Sequence, residues 1–358
     1  MAFRIIRQAM PLITALHKRH FAFLFVVNQV TCISAEMSTQ TGGDAKTSTN
    51  GLLLYQNLYS FYSQKVVMAL HEKNLNFESK LIDITKGEQY KPWFLEINPR
   101  GEVPVLQDTG KIIPDSNRII DYLEDNFSNG DTPRLIPMDK GPEMRQKVSH
   151  FRNIIDSLPA NVITMGTLFH NELVQNPRIP FVGPVRTALA NAERDSSANL
   201  RKYAEENANA KEMLLKKAEA QDKKHKTIIN KEEFLKLLGQ VEEVLTQIEA
   251  ELGTHTGDKS NWWLCAESFT VADVALAILL ERLSQVGLEE RFWLNGKKPH
   301  VEAYYSRIKE RDSYKKTIPT TFMFIKLIFS NPYVIGISVA ALIAIIVGGV
   351  FIVRKAVY

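Results

Sequence analysis

Residues 101–106 read Gly-Glu-Val-Pro-Val-Leu, and Asp115-Ser116 stand just ahead of the helical run Ile119-Ile120-Asp121-Tyr122-Leu123-Glu124. A proline opening an apolar strand, a turn at Asp108-Thr109-Gly110 and a short strand to Ile113 predict a β-hairpin that feeds a helix. Asp115 and Ser116 then fall at the N-terminus of that helix, where free N–H groups and the dipole favour a carboxylate. Alone, the stretch also reads as an ordinary hairpin followed by a helix cap.

A second stretch, 262–273, narrows the choice: Trp-Trp-Leu-Cys-Ala-Glu-Ser-Phe-Thr-Val-Ala-Asp. Thr270 and Asp273 have the spacing of an N-terminal capping box, and Phe269 with Val274 completes a hydrophobic staple. The apolar run 274–280 predicts a buried core helix. These residues are structural and touch no substrate. Together the two blocks resemble a glutathione transferase, which implies an α+β, thioredoxin-like N-terminal domain of order βαβαββα followed by an all-α domain.

A chain of 358 residues, 45% apolar and 23% charged, suits two domains or one with appendages. A formal charge of +4 and the lack of a basic stripe interleaved with aromatics argue against a nucleic-acid partner. Only Cys32 and Cys265 occur, and the eight histidines form no ligand spacing, so neither a disulfide framework nor a metal site is expected. Cys265, between Leu264 and Ala266, reads as a buried small residue rather than a nucleophile.

Residues 1–50 read as an N-terminal extension and linker, either disordered or targeting. Arg4, Arg7, Lys18 and Arg19 precede an apolar run at 21–30, Met37 is a second candidate initiator, and 38–50 are rich in Ser, Thr, Gly and Asn. The thioredoxin-like unit is expected over 51–128. It has a strand at 52–55, a helix with Val66, Ala69 and Leu70 on its apolar face, a strand at 77–84, a short helix at 92–97, the hairpin and a helix at 116–126. The helical domain is expected over 129–316, with strongly charged helical stretches at about 187–224 and 231–252. Those stretches read as a solvated helical insertion laced with weak ion pairs or, alternatively, as a docking surface for a protein partner.

The segment 317–332 is too short to span a bilayer and is expected to lie in its interface. In 333–353, thirteen of the residues are Val, Ile, Leu or Phe and none is charged, which predicts a C-terminal transmembrane helix acting as a tail anchor in the lipid bilayer. Gly336, Ala340, Ala344 and Gly348 share one ridge of that helix, a candidate helix–helix contact for a homodimer or a membrane partner.

With Pro92-Trp93-Phe94, Asp131-Thr132-Pro133-Arg134-Leu135-Ile136-Pro137 and Asp156-Ser157-Leu158-Pro159 added, the chain from about residue 51 onward resembles the ganglioside-induced differentiation-associated protein 1 family of glutathione-transferase-like proteins. The resemblance implies a protein of the mitochondrial outer membrane that faces the cytosol and regulates mitochondrial network dynamics (fission), with glutathione conjugation or peroxide reduction. The alternative is a non-catalytic sensor or adaptor. It also implies glutathione as co-substrate. Ser60 then takes the thiol-activating position, with Tyr59, Tyr62 and Ser63 as possible substitutes. Val103, next to a cis Pro104, pairs with the cysteinyl backbone, and Asp115 and Ser116 hold the γ-glutamyl end. On the residues alone, Ser60 reads equally as a helix cap. One departure stands out. Glu102 replaces the Lys or Gln of many active transferases, beside the expected glycyl carboxylate, and the sequence does not reveal where it points.

Overall fold

The computed structural model describes residues 51–128 and 132–324. Strand β1 (Leu52–Gln56) leads into helix α1 (Phe61–Glu72) and then β2 (Phe77–Leu81), which lies parallel to β1. Parallel neighbours need such a crossover. The expected second strand, 77–84, is shorter, because Ile84–Lys86 closes into a 3-10 turn capped by the Asp83 carboxylate. After the six-residue α2 (Pro92–Ile97) come β3 (Val105–Asp108) and β4 (Lys111–Pro114). Asp108 pairs with Lys111, so the hairpin loop is Thr109-Gly110, both at positive φ (45° and 89°). Such a two-residue turn matches the twist of its strands. The sheet runs β2-β1-β3-β4, and α3 (Ser116–Asn126) follows.

The helical half comprises α4 (Gly141–Asp156), α5 (Ala160–Gly166), α6 (Gly183–Glu206), α7 (Lys211–Ile229), α8 (Lys231–Gly253), α9 (Val271–Gln285), α10 (Glu289–Phe292), α11 (Pro299–Lys309) and α12 (Asp312–Thr317). Every residue of α9 is buried, as befits a helix packed on all sides against α1, α4, α5 and α11. Its start is the capping box read from the sequence. The buried Asp273 carboxylate accepts from the Thr270 amide at 2.8 Å, and also from the Leu264 amide at 2.7 Å and the Tyr304 hydroxyl at 2.5 Å.

One core runs through both halves. Ion pairs stitch its edges. The Lys73 ammonium donates to Glu124 at 2.6 Å and to the Pro133 carbonyl, while Glu124 accepts the amides of Leu135 and Ile136, where the second half begins. Arg311, just before α12, donates to Glu72 of α1 at 2.6 Å.

The first charged stretch is not one helix. It breaks at Asn207, whose side-chain amide donates back to the Tyr203 carbonyl at 2.9 Å, and a 3-10 turn at Ala208–Ala210 reverses the chain. The resulting α6–α7 hairpin buries Leu200, Ala204, Leu214 and Ala218 between its arms. It also reaches the thioredoxin-like half. The Tyr203 and Tyr90 rings lie 5.5 Å apart, and the Tyr203 hydroxyl donates to the Lys86 carbonyl at 3.3 Å.

Among the described residues no helix is long and apolar enough to cross a membrane. This overturns the expected placement in the mitochondrial outer membrane and lends no support to the bilayer as a partner. The 333–353 segment that carried both expectations lies outside the described residues, as do 1–50. Of the expected interfacial segment, 317–324 is described: Phe322 and Met323 are exposed, whereas Phe324 is buried edge-on against Tyr59 at 6.0 Å.

Candidate functional site

Ser60 is the N-cap of α1, with extended backbone (φ −72°, ψ 122°), and its Oγ accepts from the Ser63 amide at 3.3 Å. This is the capping role. It occupies a lone pair and leaves the hydroxyl proton free to donate. The same position is the positive end of a twelve-residue helix, which favours a thiolate. Ser63 is buried, and its hydroxyl takes the Asn57 amide.

The two tyrosines differ. Burial pushes the Tyr59 phenol up to about 12, and its hydroxyl has no hydrogen-bond partner among the described residues. Tyr62 is partly exposed. Burial raises its phenol most, then the charges of Asp156, Glu102 and Asp115 raise it further while Arg282 lowers it. The charges of carboxylates from three separate stretches of chain thus act on it.

The Val103–Pro104 peptide is cis; Val103 is half-buried and Pro104 buried at the head of β3. Asp115 caps α3, its Oδ1 accepting from the Asn117 and Arg118 amides at 3.0 and 3.1 Å. It does so at φ 78° and ψ 128°, a conformation a side chain disfavours by about 1–3 kcal/mol. Ser116 is buried, and its hydroxyl makes no hydrogen bond among the described residues. Ser60, Val103, Pro104, Asp115 and Ser116 therefore sit at the start of α1, the head of β3 and the start of α3.

Two further residues take partners that the sequence did not reveal. Glu102 points at the insertion: the Lys217 ammonium of α7 lies 2.5 Å from its carboxylate and donates to the Arg100 carbonyl at 2.9 Å. The anionic position beside Val103 is thus neutralised by a helix 115 residues away in sequence. The second is Arg282, 5% exposed in α9. Its guanidinium donates to the Tyr59 carbonyl at 2.7 Å and to Thr164 Oγ1 at 3.3 Å, and its Nε has no partner. Burial brings it down to about 10, with Glu281 acting the other way, so it stays cationic at neutral pH behind the loop that presents Ser60. Glu102 was marked in the sequence by its departure from the family's pattern, and an arginine in an apolar helix hinted at Arg282, but neither partner was legible there. Cys265 is fully buried and burial pushes its thiol up, which disqualifies it as a nucleophile.

Residues 54–132 match the model of the glutathione S-transferase N-terminal domain, and residues 188–312 that of the C-terminal domain. Ganglioside-induced differentiation-associated protein 1-like 1 of Homo sapiens is 34% identical over 276 residues, 75% of this chain and 73% of that protein. Glutathione S-transferase TCHQD of Arabidopsis thaliana is 30% identical over 273 residues, 75% of this chain and 90% of that one. Among solved structures, the β-etherase LigF of Sphingobium sp. strain SYK-6 superposes with a TM-score of 0.56 at 24% identity, covering 75% of this chain and 98% of its own, which is a likeness of fold.

Proposed function

The chain belongs to the ganglioside-induced differentiation-associated protein 1 family of glutathione-transferase-like proteins, and from that premise we propose that its thioredoxin-like half binds glutathione as co-substrate and activates the thiol for conjugation or peroxide reduction. Val103 pairs with the cysteinyl backbone beside Pro104. Asp115 and Ser116 receive the γ-glutamyl end at the start of α3. The Ser60 hydroxyl donates to the sulfur at the start of α1. A free thiol ionises near 8.5, so it needs help to be a thiolate at neutral pH. The hydroxyl, the helix dipole and the buried Arg282 charge all act in that direction.

The observation that carries this reading is Ser60, whose cap bond uses an acceptor lone pair and leaves its proton available at the head of α1. Calorimetry of the full chain with glutathione tests it. Saturable heat with a thermal shift is expected, and neither effect at millimolar glutathione would remove the enzyme reading.

A second reading, a non-catalytic sensor or adaptor, is favoured by Glu102 and by the docking of α6–α7 beside it. The resemblance extends both readings to mitochondrial network dynamics. Cells lacking the protein separate them: rescue of network shape by the wild-type chain but not by Ser60→Ala favours chemistry, and equal rescue favours the adaptor. Dimerisation, common in this fold, is part of the proposal and is read by sedimentation.

A further inference from the structure

Helix α9, buried along its whole length, carries the apolar run 274–280 and then, at its C-terminal end, Glu281, Arg282, Ser284 and Gln285, all buried. Buried polar groups require partners. Arg282 finds the Tyr59 carbonyl and Ser284 finds Glu289 at 2.7 Å. Glu281 and Gln285 instead border a cavity of about 630 Å³ between α9, α12 and the 177–182 loop. That volume is within the usual range for small-molecule sites.

The cavity is built rather than incidental. The Tyr305 and Tyr314 hydroxyls both donate to Glu281 Oε2, the former at 2.5 Å, so the carboxylate is held in place. Its Oε1 receives no donor among the described residues. Gln285 is 4% exposed and its Oε1 is likewise without a partner. Gln285 Oε1 is thus a buried acceptor left unmet at the cavity wall, and the Glu281 carboxylate stands beside it with one oxygen outside its tyrosine bonds, an arrangement that a donor-bearing ligand would complete. The walls are apolar: Ile179, Val182, Ile318 and Pro319. Arg178 and Lys315, the cations at the exposed end, are engaged by Glu289 and Glu310, each at 2.9 Å. No residue of 51–128 lines the cavity, so it is separate from the thioredoxin-like face.

We propose that this cavity is a second binding site, for a small molecule with an apolar body that ends in an N–H or O–H donor, an amine or an alcohol, received by Glu281 and Gln285. It stands independently of glutathione binding.

Three probes of matched shape test it on the full chain: 2-phenylethylamine, 2-phenylethanol and ethylbenzene, titrated by ligand-observed NMR. The donor-bearing probes should bind about ten-fold tighter than ethylbenzene, the ratio that one satisfied buried acceptor corresponds to. A preference for the amine identifies the Glu281 charge as the main partner, and equal binding of amine and alcohol identifies the Gln285 amide. Where amine and alcohol bind equally, Gln285→Leu should erase the ratio while melting no lower than wild type, because it removes an unsatisfied group. Val182→Trp, which fills the space from the loop, should abolish binding of all three probes. Equal affinity for ethylbenzene, binding that survives Val182→Trp, or displacement by glutathione would each overturn the site.

Discussion

At the scale of single residues, the proposed site gives two serines at helix starts different tasks, thiol activation to Ser60 and ligand holding to Ser116. Ser60→Ala removes the donor to the sulfur, and a hydrogen bond to a charged acceptor is worth about 1.5–3 kcal/mol, so the bound thiol pKa should rise by about 1–2 units. Ultraviolet thiolate absorbance against pH reads this directly. The same change removes a cap worth about 1 kcal/mol, whereas Ser60→Thr keeps both roles and should restore both readouts. Ser116→Ala should leave the thiol alone and weaken glutathione binding by about 1–3 kcal/mol in calorimetry, by leaving a buried partner unmet. A Ser60→Ala variant with unchanged thiolate absorbance would confine that residue to capping. Lys217 gives a third contrast. Its pair with Glu102 is partly exposed and adds at most about 1 kcal/mol to stability. Lys217→Ala, though, leaves Glu102 bare beside the incoming glycyl carboxylate. Glutathione affinity should fall several-fold with little change in melting temperature, and adding Glu102→Gln should recover it. Equal losses in the single and double variants would mean that the pair does not face the ligand.

The element that departs from a plain reading of the sequence is the insertion. Its mixed charges suggested a solvated arm, and much of its surface is one, but Leu200, Ala204, Leu214 and Ala218 close the α6–α7 hairpin and Tyr203 anchors it on Tyr90. Gly87 is the seat of that anchor. It adopts φ +70°, and a Cβ there would lie 2.2 Å from the Tyr203 hydroxyl oxygen. Gly87→Ala is therefore expected to cost about 1–3 kcal/mol through backbone strain and displaced contact. Amide exchange should quicken across 200–218 while α9 keeps its protection. Uniform loss of protection would instead mean that the hairpin unfolds only with the whole domain. The break at Asn207 was signalled weakly by the Asn-Ala-Asn-Ala run, since Asn competes for backbone groups. Helix periodicity on either side concealed it.

For the molecule as a whole, acid should be the destabilising direction near neutrality. Burial first, and then Lys316, holds the His71 imidazole below its ordinary value, with Glu72 opposing. Burial likewise lowers His255, against the pull of Glu251. A base whose folded value is depressed takes its proton more readily in the unfolded chain. Its contribution is therefore intact above about 6.5 and is lost as pH falls below that. Melting temperature should drop between about pH 7 and pH 5, and His71→Asn or His255→Asn should each flatten the slope. A profile that is flat in the wild type would contradict both assignments. Local signals determined the frame. The Thr270–Asp273 box, the 274–280 run and the Thr109-Gly110 turn each depend on residues a few positions apart, so their physics is written in one stretch of chain. The same holds for Ser60 and Asp115 as helix starts. What faces those starts is another matter. Glu102 meeting Lys217, Arg282 lying behind Tyr59, and Glu281 bordering a cavity beside the unmet Gln285 join elements up to 223 residues apart in sequence. Burial and Coulomb forces act on distance in space, and only the packed tertiary structure sets that distance.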